Sequence, residues 1–127
     1  MGRGRILIVE DDFLIAERIR QILVQSGYDV VGMAGRTQQA DELAAEHGAD
    51  LAIVNLKVEA DVDGMRTATH LQRKHGIKIL ITTGFCDTSV HNWLGNPMTW
   101  PYLRKPFSEN ELLTAVSACL AETDLSP

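Results

Sequence analysis

The chain has 127 residues, a formal net charge of −5, and 45% hydrophobic against 23% charged residues. That length suits a single domain over 1–127 able to bury roughly two-thirds of its unfolded surface, and the composition excludes a wholly disordered chain. The acidic balance argues against direct nucleic-acid contact, which needs clustered Lys and Arg, and no apolar run approaches the roughly 20 residues of a membrane span.

Met1 to Arg5 lacks the apolar core of a secretion signal, so a cytoplasmic protein is expected. Cys86 and Cys119 stand in no metal or redox spacing and read as incidental thiols of a reduced compartment. Arg3 and Arg5, the only basic pair near a terminus, read as keeping the entry of the first strand soluble.

Along the chain, Arg5 to Val9 (RILIV) is a short β-branched run suited to a strand buried on both faces. Residues 12–26 switch to helical spacing, with Ile15, Ile19, Ile22 and Leu23 inward, and Gly27 follows. Asp29 to Met33 reads as a second strand. Residues 36–47 read as a helix with Ala40, Leu43 and Ala44 inward, closed by Gly48. Leu51 to Val54 is a third strand. Residues 64–75 are a helix with Met65, Ala68 and Leu71 inward, closed by Gly76. Ile77 to Thr82 is a fourth strand, 87–94 a shorter helix closed by Gly95, and Tyr102 to Arg104 a fifth strand. The last helix starts at Ser108, with Glu111 three residues on as a capping box; its inward residues are Leu112, Leu113, Val116 and Leu120. The core spans about 5–121. This five-fold alternation predicts an α/β fold with a parallel sheet and helices on both faces. Sites in such sheets gather at the carboxyl ends of the strands.

Those ends carry Glu10, Asp11 and Asp12 after the first strand, Asn55 after the third, Thr82, Thr83 and Gly84 after the fourth, and Lys105 and Pro106 after the fifth. Carboxylates hold a hard cation through oxygen, and a lysine with a hydroxyl opposes the charge on a phosphoryl group, so the rim fits a magnesium and phosphoryl site.

The segments ILIVEDD at 6–12, DLAIVNL at 50–56, DG at 63–64, ILITTG at 79–84 and YLRKPFS at 102–108 together resemble the receiver domain of two-component signalling over essentially the whole chain. The resemblance implies a flavodoxin-like doubly wound (βα)5 fold with a five-stranded parallel sheet. It assigns Glu10 and Asp11 to the magnesium-binding acidic pair, Asp11 directly and Glu10 through water. Thr83 takes the place of the hydroxyl that contacts the phosphoryl group, Lys105 that of the family's lysine, Pro106 that of its cis-peptide partner, and Tyr102 that of the aromatic switch residue acting with Thr83. Lys57 falls where the family gives a backbone carbonyl to magnesium. Asp12 reads as a cap on the first helix, Asp63 as a cap on the helix over 64–75, and Asp61 as a solvated loop acid between Val58 and Asp63.

Asn55 departs from the pattern, since the family's phosphoacceptor there is an aspartate. An amide is a far poorer nucleophile than a carboxylate and brings no charge to magnesium. A magnesium site is therefore expected to be weakened, and the ammonium of Lys57 is expected to fold toward Glu10 and Asp11 in place of the cation. His47, His70, His75 and His91 read as surface residues on helices, two of them in last turns. Trp93, Met98 and Trp100 form an aromatic and methionine-rich stretch suited to a protein interface.

The expected function is a two-component receiver module, not an enzyme, acting by protein–protein interaction without ordinary aspartyl phosphorylation. Its partner would be a histidine kinase or other signalling protein, with a homodimer through the face of the 87–94 helix and the fifth strand. The alternative is a phosphoacceptor receiver of a phosphorelay, in which Asn55 is an engineered change or another carboxylate accepts phosphate. A phosphatase on this fold lacks a nucleophile at a strand end, and no Gly-rich phosphate loop follows the first strand.

Overall fold

The computed structural model describes residues 3–56, 58–59, 62–84 and 100–121, with the backbone alone at 58–59 and 62–63. The helix expected over 87–94 and the side chains of Lys57, Asp61, Asp63, Cys86, His91, Trp93 and Met98 lie outside the described residues.

The chain runs β1 (Arg5–Val9), α1 (Phe13–Gln25), β2 (Asp29–Ala34), α2 (Thr37–His47), β3 (Leu51–Asn55), β4 (Val58–Glu59), β5 (Val62–Asp63), α3 (Gly64–His75), β6 (Lys78–Thr83), β7 (Tyr102–Arg104) and α4 (Glu109–Ala121). Five strands form one sheet in the order β2-β1-β3-β6-β7, every pair parallel. This is the doubly wound α/β arrangement expected from the alternating pattern.

Side-chain alternation along the strands divides the core in two. Ile6, Ile8, Leu51, Ile53 and Leu80 face α1 and α4, meeting Ile19, Leu23, Leu112 and Val116. Leu7, Val9, Ala52, Val54, Ile79 and Ile81 face α2 and α3, meeting Ala40, Ala44, Ala68 and Leu71. Apolar residues on both parities explain why these strands read as continuous hydrophobic runs.

Helix ends follow the local sequence. The Asp12 side chain accepts the Leu14 and Ile15 amides at 3.0 and 3.3 Å, so its capping role holds. Gly48 and Gly76 follow α2 and α3 with φ of 71° and 68°. Ser108 and Glu111 form the reciprocal capping box, at 2.8 and 3.0 Å.

Four expectations are corrected. Residues 58–63 are not a plain loop: Val58–Glu59 pairs antiparallel with Val62–Asp63. Asp63 ends that pair immediately before α3. Cys119 is a core residue, 6% exposed, because 112, 116 and 119 form one helical stripe; Leu113 and Leu120 flank it, partly buried. Arg5 does more than solubilise, since its guanidinium donates to the His47 carbonyl at 2.7 Å, at the negative end of α2. His70 and His75 are not free surface histidines: both bond Asp41.

Candidate functional site

The carboxyl ends of β1, β3, β6 and β7 meet at one rim of the sheet, aligned by backbone bonds beyond the strands themselves. Glu10 N donates to Ala34 O at 2.9 Å, Leu56 N to Thr82 O at 2.7 Å, and Lys105 N to Thr83 O at 2.7 Å. Gly64 opens α3 directly against this rim. A Cβ there would stand 2.2 Å from the Asn55 carbonyl oxygen, so only glycine lets α3 approach so closely.

A cavity of about 500 Å³ lies between these ends and the starts of α2 and α3, lined among others by Glu10, Asp11, Arg36, Thr37, Asn55 and Thr67. The sequence reading reached the first two and Asn55, but not the α2 and α3 side. There Thr37 and Thr67 hydroxyls bond each other at 2.6 Å, 30 residues apart. Two threonines on separate polar helix faces give no local signal of such a pair.

Glu10 is buried, and both of its carboxylate oxygens are engaged. Lys105 Nζ donates to Oε1 at 2.9 Å and the Asp12 amide to Oε2 at 3.1 Å. The side chains are 2% exposed for Glu10 and 20% for Lys105. Among the described residues, the ammonium beside the acidic pair is that of Lys105. Asn55 is buried and neutral, so it offers Lys105 no counter-charge, and the ammonium takes the nearby carboxylate. The Lys105–Pro106 peptide is cis, as the resemblance implies.

The hydroxyl facing Asn55 is that of Thr82, whose Oγ1 donates to Asn55 Oδ1 at 3.5 Å. Pairing of Asn55 with Thr82 in the parallel register places these two side chains on the same face. Thr83, fully buried, points to the opposite face, which it shares with the partly buried Tyr102 two positions from its register partner Ile81. Thr83 and Tyr102 therefore share a face, while the residue in contact with the Asn55 amide oxygen is one that the sequence reading did not single out. Trp100 packs partly buried against the α2 and α3 core, and its indole N–H donates to Gln72 at 3.3 Å.

For a hard divalent cation the oxygen donors at this rim are Asp11, which is exposed, Glu10, which is held by an ammonium, and the neutral amide of Asn55. Affinity of such sites follows ligand charge count.

Beside the rim, a second hollow of about 610 Å³ is lined by Leu14, Ile15, Arg18, Lys105, Pro106 and Phe107. Phe13 and Leu14 stand 66% and 78% exposed at the start of α1. The helical periodicity of α1 placed its inward face well but gave no reason to notice two large apolar residues on the outer one.

A five-stranded parallel sheet with acids, a buried hydroxyl and a lysine converging at its carboxyl edge defines a receiver-type signalling fold. The chain belongs to the response regulator receiver domain family, which it matches over residues 6–117. It is 33% identical over 117 residues to the transcriptional regulatory protein PdtaR of Mycobacterium tuberculosis, covering 92% of this chain and 57% of that protein. It is 32% identical over 126 residues to the DNA-binding response regulator MtrA of Mycobacterium leprae, covering 98% and 55%. The chain thus spans little more than half the length of these relatives. Among solved structures, the response regulator receiver domain of PhyR from Erythrobacter litoralis superimposes with a TM-score of 0.84, covering 100% of this chain and 96% of that one at 24% identity. The receiver domain of a modulated diguanylate cyclase from Desulfovibrio desulfuricans G20 gives 0.76, with 92% and 93% covered at 28% identity. Among the described residues no helix is long and apolar enough to cross a membrane.

Proposed function

We propose that this two-component receiver signals through protein contacts without ordinary aspartyl phosphorylation. The observation that carries the reading is the Lys105–Glu10 pair beside a neutral Asn55. The nucleophilic carboxylate is absent, and the charges that would serve phosphoryl transfer neutralise each other instead. Magnesium at Asp11 is correspondingly weak, and no catalytic turnover is assigned to the chain.

The exposed pair Phe13 and Leu14, continuous with the hollow at Lys105 and Phe107, supports a protein-docking role for this edge, because apolar surface of this kind marks interaction sites. A histidine kinase or other signalling protein fits that role. Trp93, Met98 and Trp100 keep their place in the proposal as a second contact surface, which a homodimer would use; Trp100 brings to it an indole already held by Gln72. The regulatory outputs named for PdtaR and MtrA belong to proteins almost twice as long. Any DNA contact in a protein of that build would come from sequence beyond this acidic domain.

One reading competes on a specific observation: Glu10, Asp11 and Lys105 still stand together at one rim, which favours a phosphoacceptor with another carboxylate as acceptor. Mass spectrometry after incubation with magnesium and acetyl phosphate separates the two. The chain as it stands should gain nothing, while Asn55→Asp gains one phosphoryl group and binds magnesium about tenfold more tightly. A base-labile phosphoryl group on the unchanged chain would sink the proposal, and Asp11 or Asp61 would then be the acceptor to map.

A further inference from the structure

The second constellation of ligating side chains lies between α2 and α3, away from the sheet's carboxyl edge. Asp41 stands on α2, His70 on α3, and His75 is the last residue of α3. The Nε2 atoms of His70 and His75 each lie 2.8 Å from the same atom, Asp41 Oδ1. The two rings meet edge-on, with centroids 6.2 Å apart. One ligand atom from each of the three residues falls within 4.8 Å of the others.

We propose that Asp41, His70 and His75 form a binding site for a borderline divalent transition metal such as Zn2+, which clamps α2 to α3. Two imidazole nitrogens and one carboxylate oxygen are the three-ligand set with which proteins hold zinc while leaving a fourth position to water. Nitrogen donors select such ions over magnesium and calcium, which prefer an all-oxygen set. Bond lengths of about 2.0–2.1 Å in a tetrahedral site put neighbouring donor atoms roughly 3.3 Å apart. Each nitrogen therefore has to withdraw from Oδ1 by only about 0.5 Å, by the same geometry. That adjustment is open to side chains 40%, 26% and 13% exposed for His70, Asp41 and His75. The exposed side of the cluster admits the ion and supplies the water ligand.

The helical geometry makes the arrangement specific. His70 and His75 are five residues apart, too far round a continuous helix to share a face well. His75 closes the helix ahead of Gly76, whose φ of 68° turns the chain away. Both rings reach one carboxylate on the neighbouring helix.

Lys74 opposes the ion. Its ammonium lies 3.3 Å from Asp41 and must move aside when a dication arrives. It is 54% exposed on a flexible stem, so solvent can receive it. On binding, the metal takes the lone pairs of the two Nε2 atoms and one of Asp41; each ring binds as the neutral Nδ1–H tautomer, so a neutral Nε2–H ring moves its proton to Nδ1 through solvent and an imidazolium releases its Nε2 proton to solvent. The two Nε2–Oδ1 hydrogen bonds and the Lys74–Asp41 ion pair open in exchange.

Isothermal titration of the untagged chain with ZnCl2 tests the site. The expected result is one equivalent bound, a raised Tm, and no competition from MgCl2. His70→Ala and His75→Ala should each weaken binding by about tenfold or more, while His47→Ala binds as the unchanged chain does. Zinc should also shift the imidazole 15N resonances of His70 and His75 in the unsubstituted protein, a reading that stands even where a variant fails to fold. Absence of stoichiometric binding, unmoved resonances at both residues, or undiminished affinity in folded His70→Ala and His75→Ala would each overturn the proposal.

Discussion

Lys105 and Glu10 are 95 positions apart in the chain, yet they form an ion pair at 2.9 Å. Glu10 is little exposed to water: its side chain is 2% exposed and its second oxygen is occupied by the Asp12 amide. Lys105→Ala would strand that carboxylate, and chemical denaturation should show a loss of about 2–3 kcal/mol, below the 3–5 typical of a fully buried pair because Lys105 retains some solvent access. In a Glu10→Gln background the same substitution should cost much less, since no buried charge is left behind; equal costs in both backgrounds would show that the pair is not coupled. That Glu10 and Lys105 share one rim was legible, because strand ends of a parallel sheet gather there. That they pair with each other was not, because the alternation fixes no sheet order, and the order β2-β1-β3-β6-β7 sets β3 and β6 between β1 and β7. Asn55 itself was legible, because the end of an apolar strand fixes where a side chain emerges. Thr82 was not singled out, because choosing between two adjacent threonines requires the register that pairs one of them with Asn55.

Elements whose ends are encoded locally were read closely. Asp12, Gly48, Gly76 and the Ser108–Glu111 box act within a few residues of themselves, so sequence spacing suffices. The β4–β5 pair escaped because two-residue strands carry no alternation to detect. The histidines escaped because their partner sits on another helix. Helix α1 also carries a local charge motif that makes a pH prediction. The guanidinium of Arg20 bonds Glu17, and this hydrogen bond, against some desolvation and with help from Gln21, pulls the Glu17 carboxyl from 4.5 down to about 2. A depressed carboxyl contributes stability that is fully present above pH 4.5 and is lost as pH falls from 4.5 toward 2. An NMR titration of the Glu17 side-chain carboxyl should find its midpoint near 2, and Arg20→Ala should return it toward 4.5. The accompanying change in stability should be small, because the pair is solvent-accessible and screened. A Glu17 midpoint that ignores the loss of Arg20 would show that the bond is not populated in solution.

At the scale of the molecule, two apolar clusters are separated by a single sheet, and each strand supplies side chains to both. Ile53 faces α1 and α4 while its neighbours Ala52 and Val54 face α2 and α3. Neither cluster can lose its strands without exposing the other's, so Arg5–Ala121 should unfold as one cooperative unit. This was foreshadowed by strands apolar at every position, which demand cover on both sides, although the sequence could not say which helices cover which face. Trp100 and Leu112 give the test, since they pack on opposite faces: the indole against the α2 and α3 cluster, the leucine fully buried on the inner face of α4. In a Trp93→Phe background, tryptophan fluorescence reports Trp100 alone. Leu112→Ala opens a cavity on the other face and should cost about 2–5 kcal/mol. If the sheet couples the clusters, the fluorescence midpoint in urea falls by as much as the far-UV circular dichroism midpoint. If the two halves were independent, circular dichroism would split into two steps and Trp100 would still report the unperturbed midpoint.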